Sequence, residues 1–430
     1  MSNNSRSHQH KLRFATYLLG ACACPAVSAY CDDLDDCASN IACVDLNKDG
    51  ILDVILMGRG PNLGRMIAMT LPDMQVLWAI HNEIPGFGVN MHFAGDFDKD
   101  GVKDLAVGCE VHPVVVKNHE PPVDNAQVAI VSGATGTVLN YRRGKRMAIY
   151  LEDPPTNSAR WIESASTYNT DVGRRCTLSE YPSGACLSTF VPPKDHNYYL
   201  FGWEMCVIAG KEPMIAISSP VSKSTDMSSV QAGAVFIYSM DGTLKKTLQS
   251  SAPNILFGWS LADPQCFSGP RNSIVIGSLH NGCAEFGLAT GKPVRTINGR
   301  GVMDGSASSI GAYCRGNSEI ATLLLSACVR WKESFVQGYV EIFSPNDDEP
   351  QRILSDSTRG CDAQFCSDHN SDGFREIVVI SSLPWTSEKM KTTNVTDALR
   401  EADILTVLDG KSHSMVRSAP VDYAPRRHTQ

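Results

Sequence analysis

Apolar residues in this chain come in short, β-branched runs rather than at helical intervals. "VILMG" (54–58), "LAVGC" (105–109) and "IVVIS" (377–381) are each five residues long and bounded by Gly, Ser or Asp. Runs of that length are too short for helices and read as strands buried on both faces. A second apolar strand, a turn and a further strand follow repeatedly. The stretches are "GRMIAMTLPDMQVLWAI" from Gly64, "AQVAIVSGATGTVLNY" from Ala126, "GAVFIYSMDGTLKKTL" from Gly233, "NGCAEFGLATGKPVRTI" from Asn281, "GYVEIFSPNDDEPQRIL" from Gly338 and "ADILTVLDGKSHSMVRS" from Ala402. Their turns are rich in Asp-Gly and Thr-Gly, which hairpins favour. A third element, "FG", precedes the buried strand at Phe87-Gly88, Phe201-Gly202 and Phe257-Gly258, with a weaker Ile310-Gly311.

These elements are periodic. Phe201 to Phe257 is 56 residues, Phe257 to Ile310 is 53, and Asp45 to Asp96 is 51. Phe87 to Phe201 is 114, twice the period, so one unmarked repeat lies between them. About four strands in a unit of roughly 50 residues predict an all-β, seven-bladed β-propeller over residues 41–420. Residues 142–199 fit the repeat badly, carry Pro154-Pro155 and Pro192-Pro193, and are expected to be a divergent blade or an insertion.

Three acidic loops sit immediately before the buried strands. "DLNKDGILD" (45–53), "DFDKDGVKD" (96–104) and "DHNSDGFRE" (368–376) all fit D-x-[DN]-x-D-G-x-x-[DE]. Side-chain oxygens at positions 1, 3 and 5 of a tight loop converge, Gly at position 6 permits the sharp turn, and a hard cation such as Ca²⁺ takes six to eight oxygens. One such loop would pass for an ordinary polar turn; three with Gly at the same position argue for a metal. An EF-hand requires Glu at position 12 and an exiting helix. Here position 12 is Leu56, Val107 or Val379, and strands follow.

The combination "FG…DxDxDGxxDLxVG" followed by "GxVxIY" resembles the FG-GAP repeat of the integrin α-subunit N-terminal propeller. Residues 87–108, "FGVNMHFAGDFDKDGVKDLAVG", match it best. The resemblance implies seven blades, Ca²⁺ in hairpin loops on one face, and ligand recognition by loops on the opposite face. Calcium positions carried over from it are Asp45, Asn47, Asp49, Ile51 (carbonyl) and Asp53 in the first loop. In the second they are Asp96, Asp98, Asp100, Val102 (carbonyl) and Asp104. In the third they are Asp368, Asn370, Asp372, Phe374 (carbonyl) and Glu376. The repeats beginning at Phe201, Phe257 and Ile310 lack the acidic loop and are expected to form strands without metal.

Composition narrows the setting. A chain of 430 residues with 43% hydrophobic and 20% charged residues suits a globular fold. Its net charge of −8, without a Lys/Arg block, disfavours nucleic acid as a partner. Residues 1–29 read as a signal peptide: a basic start (Arg6, Lys11, Arg13), an apolar stretch, and small residues at Val27-Ser28-Ala29. "LGAC" at Leu19–Cys22 resembles a lipobox, so a lipid anchor at Cys22 is the alternative to a secreted, extracellular or periplasmic protein. No later run reaches the ~18 apolar residues of a transmembrane span. A Cys-containing segment (30–40) precedes the repeats and a tail (421–430) follows them. Fifteen cysteines without a C-x-x-C pair suggest disulfides in an oxidising compartment. Pairs close in sequence are Cys31–Cys37, Cys176–Cys186, Cys266–Cys283, Cys314–Cys328 and Cys361–Cys366.

Catalytic signatures are wanting: neither G-x-S-x-G nor H-E-x-x-H occurs. A loop shell filled by its own oxygens leaves little room for substrate, so the metal is expected to be structural. The expected function is a recognition or adhesion module for an extracellular protein or glycan. The alternative is a polysaccharide lyase or hydrolase, for which Glu110, His112, His119 and Glu120 share one long loop. Aromatics at Tyr198, Tyr199, Trp161, Trp203 and Trp331 are candidates to stack on a ligand or to pack between blades. Asn394-Val395-Thr396 is a glycosylation sequon.

Overall fold

The computed structural model describes residues between 38 and 421, apart from 110–126, 166–174, 225–232, 263–272, 298–308, 344–350, 383–402 and some shorter stretches. The signal-like segment, Cys31, Cys37, Cys266, Cys328, the Glu110–Glu120 loop and Asn394 lie outside the described residues.

Regular structure among the described residues is entirely β. Those residues form seven four-stranded antiparallel sheets and two two-stranded ribbons. The sheets span residues 38–82, 87–143, 145–190, 205–249, 257–297, 309–355 and 359–420, and are called first to seventh. Strands within each sheet follow one another in chain order, so every sheet is a meander. The stretch expected to be divergent contains the third sheet, Lys145–Asp153, Ser158–Ala165, Cys176–Tyr181 and Cys186–Phe190.

Neighbouring sheets face one another and share their cores. Val54, Leu56 and Ile67 of the first sheet pack with Val378, Leu405 and Val407 of the seventh. Ile55 and Met57 pack with Leu105 and Val107 of the second. Ala106 and Ile130 meet Trp161 of the third, and Ile162 and Phe190 meet Ile215 and Phe236 of the fourth. Ile237 meets Ile274 of the fifth, whose first strand, Phe257–Ala262, lies against Ser309–Cys314 of the sixth. Val340 of the sixth packs with Val379 of the seventh. The succession closes on itself and forms a β-propeller.

Closure explains the apolar runs. A sheet sandwiched between two others buries both faces, so Leu105–Cys109 and Ser273–Ser278 are buried at every position and do not alternate. Fourth strands lie at the rim: Val138–Arg143 and Met415–Pro420 are mainly exposed. The third-to-fourth turn recurs with the same backbone bonds. Gly136 N–H donates to Ser132 O, Gly184 to Glu180 O, Gly291 to Gly287 O and His413 to Asp409 O, at 2.7–2.9 Å.

The "FG" motif also has a geometric reason. Gly88, Gly202 and Gly258 all have φ between 86° and 95°, where a side chain is strained. Its Phe meets the glycine that opens the third strand of the preceding sheet. A Cβ on Gly64 or Gly233 would stand 2.1 Å from the carbonyl oxygen of Phe87 or Phe257.

Candidate metal-binding loops

Each acidic loop links the first strand of its sheet to the second, and all three have the same backbone. Position 4 is left-handed in each, with φ of 63° at Lys48, 64° at Lys99 and 58° at Ser371. Position 6 is glycine with φ of 86°, 84° and 86° at Gly50, Gly101 and Gly373. Alternating polar residues make this turn because their side chains accept the loop's own N–H groups.

The hydrogen-bond pattern repeats position by position. The first carboxylate accepts from the glycine N–H: Gly50 to Asp45 at 2.9 Å, Gly101 to Asp96 at 2.8 Å and Gly373 to Asp368 at 2.8 Å. Position 3 accepts from position 5: Asp49 N–H to Asn47, Asp100 to Asp98 and Asp372 to Asn370, at 3.0–3.2 Å. Position 5 accepts from position 7: Ile51 N–H to Asp49, Val102 to Asp100 and Phe374 to Asp372, at 2.7–2.9 Å. The carboxylate at position 9 reaches back to position 2: Leu46 N–H to Asp53, Phe97 to Asp104 and His369 to Glu376, at 2.6–2.8 Å.

Asp53, Asp104 and Glu376 are buried beneath the loops, at most 2% exposed, whereas Asn47, Asp49, Asp96 and Asp98 are exposed. Asp45, Ile51, Asp100, Asp368, Asp372 and Phe374 are half-buried, Val102 is buried and Asn370 is exposed. Burial, reinforced by Asp98 and Asp100, pushes the Asp104 carboxyl up to about 6 against the opposing hydrogen bonds from Phe97 and Gly133. Asp53 is raised for the same reason, with Asp49 and Asp45 adding to it.

The donor set fits a hard cation. Carboxylate oxygens of Asp96, Asp98 and Asp104 lie within 4.8 Å of one another. Asp53 Oδ1 is buried without a hydrogen-bond partner among the described residues. An orphaned buried carboxylate oxygen calls for a partner, and a cation in the loop would supply one. Position 3 is an amide in the other two loops: Asn47 Nδ2 donates to Asp49 at 2.9 Å, and Asn370 Nδ2 to Asp409 at 2.8 Å.

Loops far apart in the chain are neighbours in the ring, because the seventh sheet lies beside the first and the first beside the second. Lys48 Nζ donates to the carbonyl of Asp100, joining the first loop to the second. Leu52 N–H donates to the Ser367 hydroxyl at 2.9 Å, joining the first loop to the third. Sequence reasoning missed both links, and missed Gly133, whose N–H donates to Asp104 Oδ1 at 3.0 Å while its carbonyl accepts from Trp78 Nε1 at 2.8 Å. The Gly in "SGATG" was the available signal: a Cβ there would lie 2.1 Å from the carbonyl of Lys103.

One expectation is corrected. Cys176 and Cys186 are both free thiols. Cys176 pairs with Phe190 and Cys186 with Ser179 across the strands, a stagger of about 10 Å that a disulfide does not span. No disulfide joins the described cysteines, and Cys283 and Cys366 are free and buried. Burial pushes the Cys109 and Cys283 thiols up to about 12, which leaves both inert as nucleophiles. Of the two roles expected for Trp161, it takes packing between sheets. It lies in the strand Ser158–Ala165, is 0% exposed, and packs on Phe97 at 5.3 Å with the Arg142 guanidinium on its face. That guanidinium also pairs with the buried Glu163, together with Lys145 at 3.3 Å. Trp203 is half-buried, 4.8 Å from the half-buried Trp259, and donates from Nε1 to the Trp259 carbonyl at 3.2 Å. The side chains of Tyr198, Tyr199 and Trp331 lie outside the described residues.

No family model matches the chain, so the FG-GAP resemblance has no support from that side. No curated protein matches it either. Among solved structures it is similar to the WD40 β-propeller domain of Doa1 (12% identity, 80% of this chain and 90% of that one, TM-score 0.46). It is similar to BamB from Moraxella catarrhalis (13% identity, 79% of each chain, TM-score 0.40) and to the Dos1 propeller (10% identity, 80% and 74%, TM-score 0.46). At these scores the likenesses carry no argument; the propeller assignment rests on the sheet topology.

Proposed function

We propose that this chain is an exported, calcium-binding propeller of FG-GAP-like repeats, each of the seven sheets being one repeat and one blade, that recognises an extracellular protein or glycan. Calcium is structural in this reading. The observation that carries it is the identical hydrogen-bonding of the three acidic loops, whose position-9 carboxylates are held under the turn by backbone N–H groups. In each loop the oxygens at positions 1, 3, 5 and 9 and the position-7 carbonyl would hold the ion, which would neutralise the clustered carboxylates and clamp the first strand of a blade to its second.

Recognition falls to the other end of the blades. The acidic loops follow the first strands, whereas Trp203 and Trp259 lie before and near the start of the first strands of their sheets. The paired, half-buried indoles are the described aromatics best placed to contact a ligand there.

The test uses the purified protein on a panel of polysaccharides and matrix proteins, with Ca²⁺ and with EDTA, recording retained protein and released sugars together. Calcium-dependent retention without products is the expected result, weakened by Trp203→Ala. Release of sugar products would overturn the reading in favour of an enzyme and direct attention to Glu110, His112, His119 and Glu120. Calorimetry showing no Ca²⁺ uptake would remove the metal from it.

A further inference from the structure

Among the described residues, the contact between the first and seventh sheets is made through side chains. Every strand of the first sheet comes from residues 38–82 and every strand of the seventh from residues 359–420. Among the described residues neither of these two sheets takes a strand from the other's stretch of chain, and no backbone ladder joins them. Among the described residues the seam is held by the shared apolar cluster, the Leu52–Ser367 hydrogen bond and an exposed Arg417–Asp73 ion pair at 3.4 Å.

Two cysteines meet at that seam. Cys43 is in the first strand of the first sheet, Ala38–Val44, and Cys366 directly follows the first strand of the seventh, Arg359–Phe365. Both stand two residues before the first aspartate of an acidic loop, Asp45 and Asp368; the second sheet has Ala94 at that place. Cys366 belongs to the buried cluster of the seam and Cys43 packs against it, close enough that the Cys43 thiol, with burial, pushes the Cys366 thiol well above its ordinary range. Each is reduced in this structure, Cys366 Sγ also lying 3.7 Å from His369 Nε2. This juxtaposition joins residues 323 positions apart, which no pairing by sequence proximity would select.

We infer that Cys43 and Cys366 are a modification site: they oxidise to a disulfide that covalently closes the ring between the first and seventh sheets. The reaction is thiol–disulfide exchange with a low-molecular-weight disulfide such as glutathione disulfide. The half-buried Cys43, as thiolate, attacks the donor and releases one glutathione; Cys366, held against it, then attacks the Cys43 sulfur of the mixed disulfide and releases the other glutathione, which takes up the Cys366 proton. The two protein thiols give up two protons and two electrons, and the donor disulfide is reduced to two thiols. The inference does not depend on the metal or on the ligand.

The full chain, equilibrated in glutathione redox buffer, alkylated and digested, tests it by peptide mass spectrometry. A cross-linked pair containing Cys43 and Cys366 is expected, with the thermal midpoint falling when reductant is added. In Cys43→Ser, whose position is only half-buried, the cross-link should vanish and the midpoint should become indifferent to reductant, while the β circular dichroism spectrum stays unchanged. Recovery of Cys43 and Cys366 both alkylated under oxidising conditions would overturn the inference. So would a bond from Cys366 to any other cysteine, or a reductant-sensitive midpoint that persists in Cys43→Ser.

Discussion

The seventh, first and second sheets hold the turn between their first two strands differently from the fourth. In the former a nine-residue acidic loop folds over a buried carboxylate, and four of the loop's nine N–H groups end on its own side chains. In the fourth, Ile208 pairs with Met214 across a short connection, and the apolar interior takes over. Phe201 stacks against Phe236 at 5.6 Å, Tyr238 against Phe190 at 5.4 Å, and the Tyr238 hydroxyl donates to Val191 O at 2.6 Å. One blade geometry is thus stabilised by two chemistries, concentrated in different arcs of the ring. The acidic arc keeps clustered carboxylates that repel one another without a cation; the aromatic arc has no such dependence.

The largest effect expected of a single substitution tests the aromatic arc. Phe236→Ala removes a fully buried ring and should lower stability by about 3–5 kcal/mol, equally in Ca²⁺ and in EDTA, as read by denaturant unfolding. A dependence on Ca²⁺ would erase the contrast. Next comes metal removal. With Ca²⁺ at a hundredfold excess over its dissociation constant, one site adds about 2.7 kcal/mol, so EDTA should lower the thermal midpoint of the wild-type protein. Limited proteolysis should then cut first within 45–53, 96–104 or 368–376 and spare the strands Met205–Ile208 and Met214–Ser219.

Asp104→Ala strands the N–H groups of Phe97 and Gly133 and removes a proposed ligand. The stranded donors cost about 1–3 kcal/mol each, and the variant should respond less than wild type to added Ca²⁺ in a thermal shift series. The smallest effect is in pH. In EDTA the folded protein binds the Asp104 proton more tightly than the unfolded chain does, about 6 against 3.8. Stability contributed by that group is therefore greatest in acid and is lost as pH rises across that interval. Saturating Ca²⁺ should abolish this trend, and unfolding midpoints between pH 4 and 7 with and without the ion check it.

Much of this was legible beforehand, for local reasons. The apolar runs became the buried strands, since a strand packed on both faces needs no alternation. The acidic loops have a common backbone because Asp, Asn and Gly at fixed offsets satisfy their own N–H groups whatever surrounds them. Trp161 took the packing role of the two offered for it, because pairing with Tyr150 and Ser179 places it in a strand of the third sheet. The cysteines misled because nearness in sequence is no guide in antiparallel strands, where register sets the distance between them.

What the sequence by itself determined is therefore local and periodic: strand lengths, hairpin turns, glycines needing positive φ, and nine-residue oxygen-rich loops. Each depends on interactions within a few residues, and the repeat multiplies them. Only the tertiary structure decided which repeats are neighbours. It placed residues 368–376 beside 45–53, set Lys48 on the carbonyl of Asp100, and brought Cys43 against Cys366. The physical reason is closure: in a ring the first and last repeats touch, and no local pattern in a linear chain encodes that contact.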